Sequence, residues 1–459
     1  MTKLTDHIIP FASDAEAKAG TETNKAMSPA STRAAITDIV PAHYVYGIRY
    51  DTVNDIMVSG IAVGDLFIES DYTVFPIQEQ MKRGLLNAGV FTLLDPNDST
   101  KLFDGSAATL DGTAGQVMVR IPRFNALAYE TGNYQYLLLS LSGPFVFQGQ
   151  TSYVPPAFRD DDYRYIGAFQ GVAATDALDA DVISAVKDTS GYTTNPYPNP
   201  FGDRTRAQFR AQMQSGFFQY SWGLYEITYM LFITEYKTWN SQTALPGHTE
   251  ASSYDYSYAR PAGRTLSLGN SSGSILVDLT GDDSDLSGIV ASDEYVANSF
   301  RGIENFYGNV WVFVDGINID NTSGDCEVYV CHDPDNFADD TASNYIDTGH
   351  APAFGSDDNY IKKFAWLGPD CVFYPETIGG GANDSEYITD YHYNNAGGWR
   401  VLRAGGILST GALAGFGSGY PPETAGDSFA WSRLWGIKIW RYQQALAQNI
   451  ICRIPTNQF

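Results

Sequence analysis

The strongest helical signal in this chain is a pair of segments between Asp203 and Tyr236, set among short strand-like runs on both sides. Asp203 is placed to cap a first helix that carries Phe209 and Met213 on one face and ends near Gly216. A second helix, after Ser221, puts Leu224, Ile227 and Leu231 on one face. HYVYGIRYD (43–51), DIMVSGIAVGDLFI (55–68) and GVFTLL (89–94) carry strand-type residues between turn signals such as Asp95-Pro96-Asn97 and Asp104-Gly105. Residues 111–124 and 155–171 each hold a further strand, and 248–290, rich in Ser, Gly, Asp and Tyr, read as a long loop with short strands. Two helices amid many strands predict an α+β fold. No internal repeat is present, which argues against the stacked coils of a β-helix.

Composition narrows the partners. Apolar residues make up 44% of the 459, enough for a sizeable core, and the 30 Tyr and 25 Phe favour strands and recognition surfaces. The formal charge of −25 and the lack of clustered Lys and Arg argue against nucleic acid and against an anionic membrane as partners. Cys326, Cys331, Cys371 and Cys452 are too few and too scattered for a disulfide-stapled secreted domain, which predicts assembly in a reducing cytoplasm. The start, MTKLTDHIIPFASDAEAKAG, lacks an apolar core of the secretory type, and no run reaches the ~20 apolar residues of a membrane span.

Residues 12–36 are small, polar and poor in aromatics, and cannot bury a core of their own. Two short helices are foreseen there, after Ser13 and after Ser28-Pro29. The run Ala12-Ser13-Asp14-Ala15-Glu16-Ala17-Lys18-Ala19-Gly20, with Asn24-Lys25-Ala26-Met27-Ser28-Pro29, resembles a segment recurrent in phage tail-fibre and related virion proteins. That resemblance implies a virion context, with 1–40 as an arm for attachment to other virion proteins or for trimerisation.

Downstream, Gly308-Asn309-Val310-Trp311 leads into the alternating Val312, Phe313 and Val314, then Asp315-Gly316. This pattern predicts a turn entering a buried strand, with Trp311 filling the core and Gly308 taking a conformation other residues resist. About ninety residues later comes Gly398-Trp399-Arg400-Val401-Leu402-Arg403-Ala404-Gly405-Gly406, and then Ser432-Arg433-Leu434-Trp435-Gly436-Ile437-Lys438-Ile439. The ordered set resembles the C-type-lectin-like fold as it occurs in formylglycine-generating-enzyme relatives and in phage variable receptor-binding proteins. The phage branch is similar also at YRYIGAFQG (163–171) and at Asn240-Ser241-Gln242. The resemblance implies a lectin-like receptor-binding domain over 115–459 behind a β-rich lead-in domain at 41–114, in a homotrimer. It implies non-catalytic recognition of a bacterial surface receptor, glycan or protein. A purely structural head or tail decoration protein, and a glycan depolymerase, are the alternatives.

In the lectin-like phage proteins the contact surface is built from loops between the GNVW strand and the last strand. Carried over, that surface comprises Tyr391, Tyr393, Asn394, Asn395 and Trp399, then Ile407, Leu408, Ser409, Thr410, Phe416, Ser418, Tyr420, Glu423, Phe429 and Trp431. Tyr420 is expected to be exposed. Trp431 either faces a ligand or packs inward to hold the loop. Arg400 and Arg403 are expected to pin their strand to nearby carboxylates.

One departure limits the carry-over. The copper-binding cysteine pair that follows the GG motif in formylglycine-generating enzymes has no counterpart, since 407–433 contain no cysteine. In a regular strand CEVYVC, the spacing of Cys326 and Cys331 sends the thiols to opposite faces, which predicts buried structural cysteines rather than a shared metal. No cofactor is foreseen, although Asp333, Asp335, Asn336, Asp339 and Asp340 could offer oxygens to Ca²⁺ outside any EF-hand pattern.

Other chemistry finds little support. Gly269-Asn270-Ser271-Ser272-Gly273 matches G-x-S-x-G, but a strand-like run follows where a nucleophile elbow needs a helix. The six histidines show no metal-ligand spacing. A depolymerase needs two carboxylates ~5–9.5 Å apart, and among 53 acidic residues the sequence nominates no pair.

Overall fold

The computed structural model describes residues 44–159, 161–249, 259–277, 295–379, 388, 390–405 and 433–436. The described fold is mostly β, with many short antiparallel strands in several sheets and few helices, so the α+β expectation holds only in its β part.

The strand-like runs near the start of the chain form strands Tyr46–Asp51, Ile56–Val63, Leu66–Glu69 and Val90–Leu93. The first three do not make a sheet of their own. Tyr46–Asp51 pairs on its other side with Tyr134–Ser140, which pairs with Asn125–Thr131. Lys82–Asn87 likewise pairs with Gln116–Pro122, in a six-stranded sheet that continues through Tyr163–Gly167 and Leu434–Gly436 to Phe217–Gln219. The division foreseen at 114/115 is therefore crossed by two sheets. One apolar cluster runs from Tyr44, Tyr46 and Ile48 through Val117, Val119 and Ile121 to Leu402 and Ala404.

Helix α1 spans Arg206–Ala211. Its cap is Thr205, not the expected Asp203: the Thr205 hydroxyl accepts from the Gln208 amide while the Gln208 side chain accepts from the Thr205 amide. Asp203 instead occupies a left-handed turn, φ 57°. Phe209 is buried against Phe201 and Phe313.

Helix α2, Trp222–Tyr236, follows Ser221 as foreseen, but its whole circumference from Trp222 to Thr234 is buried rather than one face. A helix buried all round belongs at the centre of a fold, even though this one carries Glu226, Thr228 and Thr234. Its last carbonyls are not left bare: Gln78 donates to Leu231 O at 3.0 Å and the Tyr72 hydroxyl to Thr234 O at 2.7 Å. The short helix α3, Ser241–Ala244, is capped by the Asn240 side chain accepting from the Thr243 amide.

Ser271 sits between a 3₁₀ turn (Leu266–Leu268) and strand Gly273–Val277, with no helix behind it, so the nucleophile-elbow geometry is absent there. No described helix is long and apolar enough to cross a membrane.

Candidate recognition surface

The two sequence motifs meet in one four-stranded sheet, in the order Ile346–Asp347, Glu327–Val330, Val312–Asp320, Trp399–Ala404. The strand after GNVW and the strand of RVLR lie antiparallel, Val312 opposite Ala404 and Val314 opposite Leu402. Trp311 is buried, as foreseen. Gly308 has φ +91°, and a Cβ there would stand 1.9 Å from the carbonyl oxygen of Gly247. Its amide donates to Gly405 O at 2.7 Å, tying the first motif to the second. Gly308→Ala is accordingly expected to cost more than about 2 kcal/mol, through the left-handed φ and the backbone clash together. A urea midpoint equal to that of the parent would refute this.

Between Val314 and Ile319 the pairing register shifts, and the extra residues bulge out of the sheet. The bulge aims Asp315, fully buried, at helix α1: Arg210 donates to both its oxygens, at 2.7 and 3.0 Å. Arg206, also fully buried, reaches Asp339 at 2.6 Å and donates to Ile317 O at 2.8 Å. Both guanidiniums hold the Asp339 carboxyl below its ordinary range, against the opposing effect of burial. Asp333 is likewise engaged, by Arg159 at 3.1 Å and by capping the turn Pro334–Asn336. The acidic run considered for Ca²⁺ thus contributes two of its carboxylates to arginines. Among the described residues no group of three metal-ligating side chains converges.

The neighbouring cysteines are buried and free: Cys326, Cys331 and also Cys371. Burial raises the Cys326 thiol to about 11, and Asn394 donates to its sulfur at 3.3 Å. Cys452 lies outside the described residues.

The predicted surface divides into three parts. Ile407, Leu408, Ser409, Thr410, Phe416, Ser418, Tyr420, Glu423, Phe429 and Trp431 lie outside the described residues, as does the arm 1–40. Asn394 is described and is buried. Its side chain is buried and donates to Gly355 O at 2.9 Å as well as to Cys326, so it holds the loop from inside. The remaining four, Tyr391, Tyr393, Asn395 and Trp399, are exposed or half-buried.

These four lie on, or flank, a loop that the fold holds firmly. Asn321 donates to Asn395 O at 2.9 Å, and the Asn321 backbone exchanges hydrogen bonds with Gly397 and Gly398. Arg400 closes the loop by donating to Asn395 O, Ala396 O and Gly397 O at 2.7–2.8 Å. The partners of Arg400 are therefore backbone carbonyls, not the carboxylates expected of it. A loop that turns back on itself aims several carbonyls at one point, and a single guanidinium satisfies them together.

Trp399 is not alone on its face. By register, Asp320 stands opposite both Trp399 and Glu327, and Tyr329 stands opposite Asp347. Side chains directly across an antiparallel pair share a face, so two rings and three carboxylates gather on one side of the sheet. The Trp399 and Tyr329 rings are 5.7 Å apart and tilted by 46°. The Tyr329 hydroxyl donates to Glu327 at 2.8 Å. That hydrogen bond, then partial burial and the charges of Glu327, Asp347 and Asp320, push its phenol up to about 12. Asp320 is oriented by Thr322, whose amide donates to it at 3.0 Å.

A second aromatic group flanks the loop. Tyr391 meets Tyr360 at 5.0 Å and Tyr393 at 4.6 Å, and Tyr393 stands edge-on to Trp311 at 6.3 Å. Tyr360 belongs to strand Asn359–Phe364, which pairs with Tyr391–His392.

Tyr329 and Tyr360 were not among the residues expected from the sequence. The signal for Tyr329 was present: within CEVYVC, strict alternation puts Val328 and Val330 inward and Tyr329 outward. Half-exposed rings offer flat apolar faces, and the carboxylates beside them accept hydrogen bonds from hydroxyl or ammonium groups. The same charges repel anions. No family model matches the chain, and no curated protein is detectably similar to it.

Proposed function

We propose that the chain is a non-catalytic recognition protein, a virion fibre or spike component that binds a bacterial surface receptor through a C-type-lectin-like domain. The observation that carries the reading is the paired Trp399 and Tyr329 rings, rimmed by Asp320, Glu327 and Asp347 on a rigid sheet. Aromatic residues on firmly held positions are how binding hot spots are built. The chemistry favours a neutral or amino-bearing glycan, whose ring faces stack on the aromatics and whose hydroxyls meet the carboxylates. Trimeric assembly and attachment through residues 1–40 belong to the same reading, and rest on the resemblance of Ala12–Pro29 to phage fibre segments.

The test is binding of fluorescently labelled protein to intact candidate host cells, with sugar release followed in the same tubes. Saturable binding without released sugar is the expected result. Tyr329→Ala and Trp399→Ala are each expected to weaken it about thirtyfold, the loss of a hot-spot contact of ~2 kcal/mol. Released sugar would turn the search to paired carboxylates. Unchanged binding in both variants, at an unchanged unfolding midpoint, would move the receptor surface elsewhere.

A further inference from the structure

Lys82 and Arg120 stand directly opposite each other on neighbouring strands, so they share one face of the six-stranded sheet. The other face carries Arg83, Val119 and Ile166 into the core, which leaves Lys82 and Arg120 half-buried on the outer side. Like charges directly across a strand pair destabilise it. The chain has 53 acidic residues against 28 basic ones. Yet among the described residues neither side chain has an ion pair or a hydrogen-bond partner. Nearby cations are treated differently: Arg301 donates to Glu235 at 2.9 Å, and Arg164 is paired with Asp161. Glu79, whose charge reaches Lys82 from the turn before it, instead accepts from the Phe75 amide at 3.4 Å.

The Arg120 guanidinium is also held in place by rings. Its central carbon lies 4.5 Å from the centre of the Tyr163 ring and 5.3 Å from that of Phe91. The Phe91 ring lies over Gly84, where an added Cβ would come within 2.6 Å of it, and Tyr165 braces it at 5.2 Å. Within this stack Arg120 Nε is buried without a hydrogen-bond partner. A guanidinium flanked by rings keeps its planar fork set, and that fork matches the two oxygens of a carboxylate or phosphate. Burial, then the charges of Arg301 and Arg120, disfavours the charged form of Lys82, and a bound anion relieves that cost. We propose that this outer face is a second binding site, for a carboxylate or phosphate group on a sugar. Arg120 grips two of its oxygens, and Lys82 adds a point charge. The sugar carrier rests on the recognition reading above; the oxyanion site does not. The carboxylates beside Trp399 repel the same groups, so the two surfaces select opposite charges.

Calorimetric titration of the full chain with trigalacturonate, glucose 6-phosphate and neutral glucose tests the site. At least one of the two anions should bind while glucose does not, and added salt should weaken the binding. Arg120→Gln should weaken it at least about tenfold, the loss of a charge-assisted contact. The tighter of the two anions then tells a carboxylate source from a phosphate one. Lys82→Glu gives Arg120 a carboxylate from within the chain, so it should abolish anion binding while raising the urea midpoint. That variant keeps the test independent of any folding defect in Arg120→Gln. No anion binding in the parent, or equal binding in both variants, would overturn the proposal. Self-association of the parent that either variant abolishes, with no anion bound, would overturn it in favour of a second copy. The titration uses no cells and no residue of the Trp399 surface, so its outcome is separate from that of the host-cell assay.

Discussion

Replacing Asp315 by Ala is expected to lower the stability of the chain by about 3–5 kcal/mol, the usual cost of leaving buried positive charge without its partner. Asp315 is fully buried and carries Arg210 in a two-pronged hydrogen bond, with Arg206, itself buried, 4.0 Å away. Truncation would leave two guanidiniums facing a vacated carboxylate site, with Asp339 alone to balance them. The measurement is the urea midpoint of Asp315→Ala, Arg210→Ala and the double variant. If the pair acts as described, the double variant costs less than the two single losses added together, by ~1–3 kcal/mol. Additive losses would mean that the ion pair contributes nothing beyond packing.

Acid should weaken the fold through a different residue. His392 is fully buried, and among the described residues neither ring nitrogen has a hydrogen-bond partner; it packs between the rings of Phe354 and Tyr374, 5.8 and 5.7 Å away. Burial lowers its pKa from 6.5 to about 3. A histidine held neutral in the fold but free to protonate when unfolded adds stability that is complete above pH 6.5. That stability drains away as pH falls towards 3, on the order of 3–5 kcal/mol in total. His392→Leu should therefore flatten the decline of stability between pH 6.5 and 3. Glu226 acts in the opposite sense, since burial raises its carboxyl well above the ordinary range and its contribution is lost as pH rises. The difference between parent and variant, rather than either curve alone, isolates the histidine. Parallel curves across that window would refute the assignment.

Local features were legible in the sequence wherever they depended on a few adjacent residues. The strands near the start, the helix after Ser221 and the turn at Gly308 each carry their own signal in period, cap or glycine. The cap of helix α1 was legible too, since Thr205 and Gln208 form a capping box, but Asp203 competes as a plausible cap two residues earlier. What the sequence did not contain was long-range pairing. Nothing near Leu137 announces that it will stand beside Ile48, in a sheet that spans position 114. Asn394 reads as a loop polar residue, and only the approach of Gly355, Asn321 and Cys326 makes it an interior one. At the candidate surface Trp399 was foreseen and its partner Tyr329 was not, because the two meet across an intervening strand.

The place of Leu434–Gly436 has a consequence for how the chain is made. It lies inside its sheet, hydrogen-bonded to Tyr163–Gly167 on one side and to Phe217–Gln219 on the other. Its two neighbours, ending at Gly167 and Gln219, are synthesised more than two hundred residues earlier, on the order of ten to fifty seconds ahead at translation speeds of ~5–20 residues per second. Through that interval the edges of Tyr163–Gly167 and Phe217–Gln219 lack the strand that joins them. Completion of the sheet therefore waits for residues 434–436, and a ribosome that stalls before residue 434 releases a product with both edges bare and prone to aggregate.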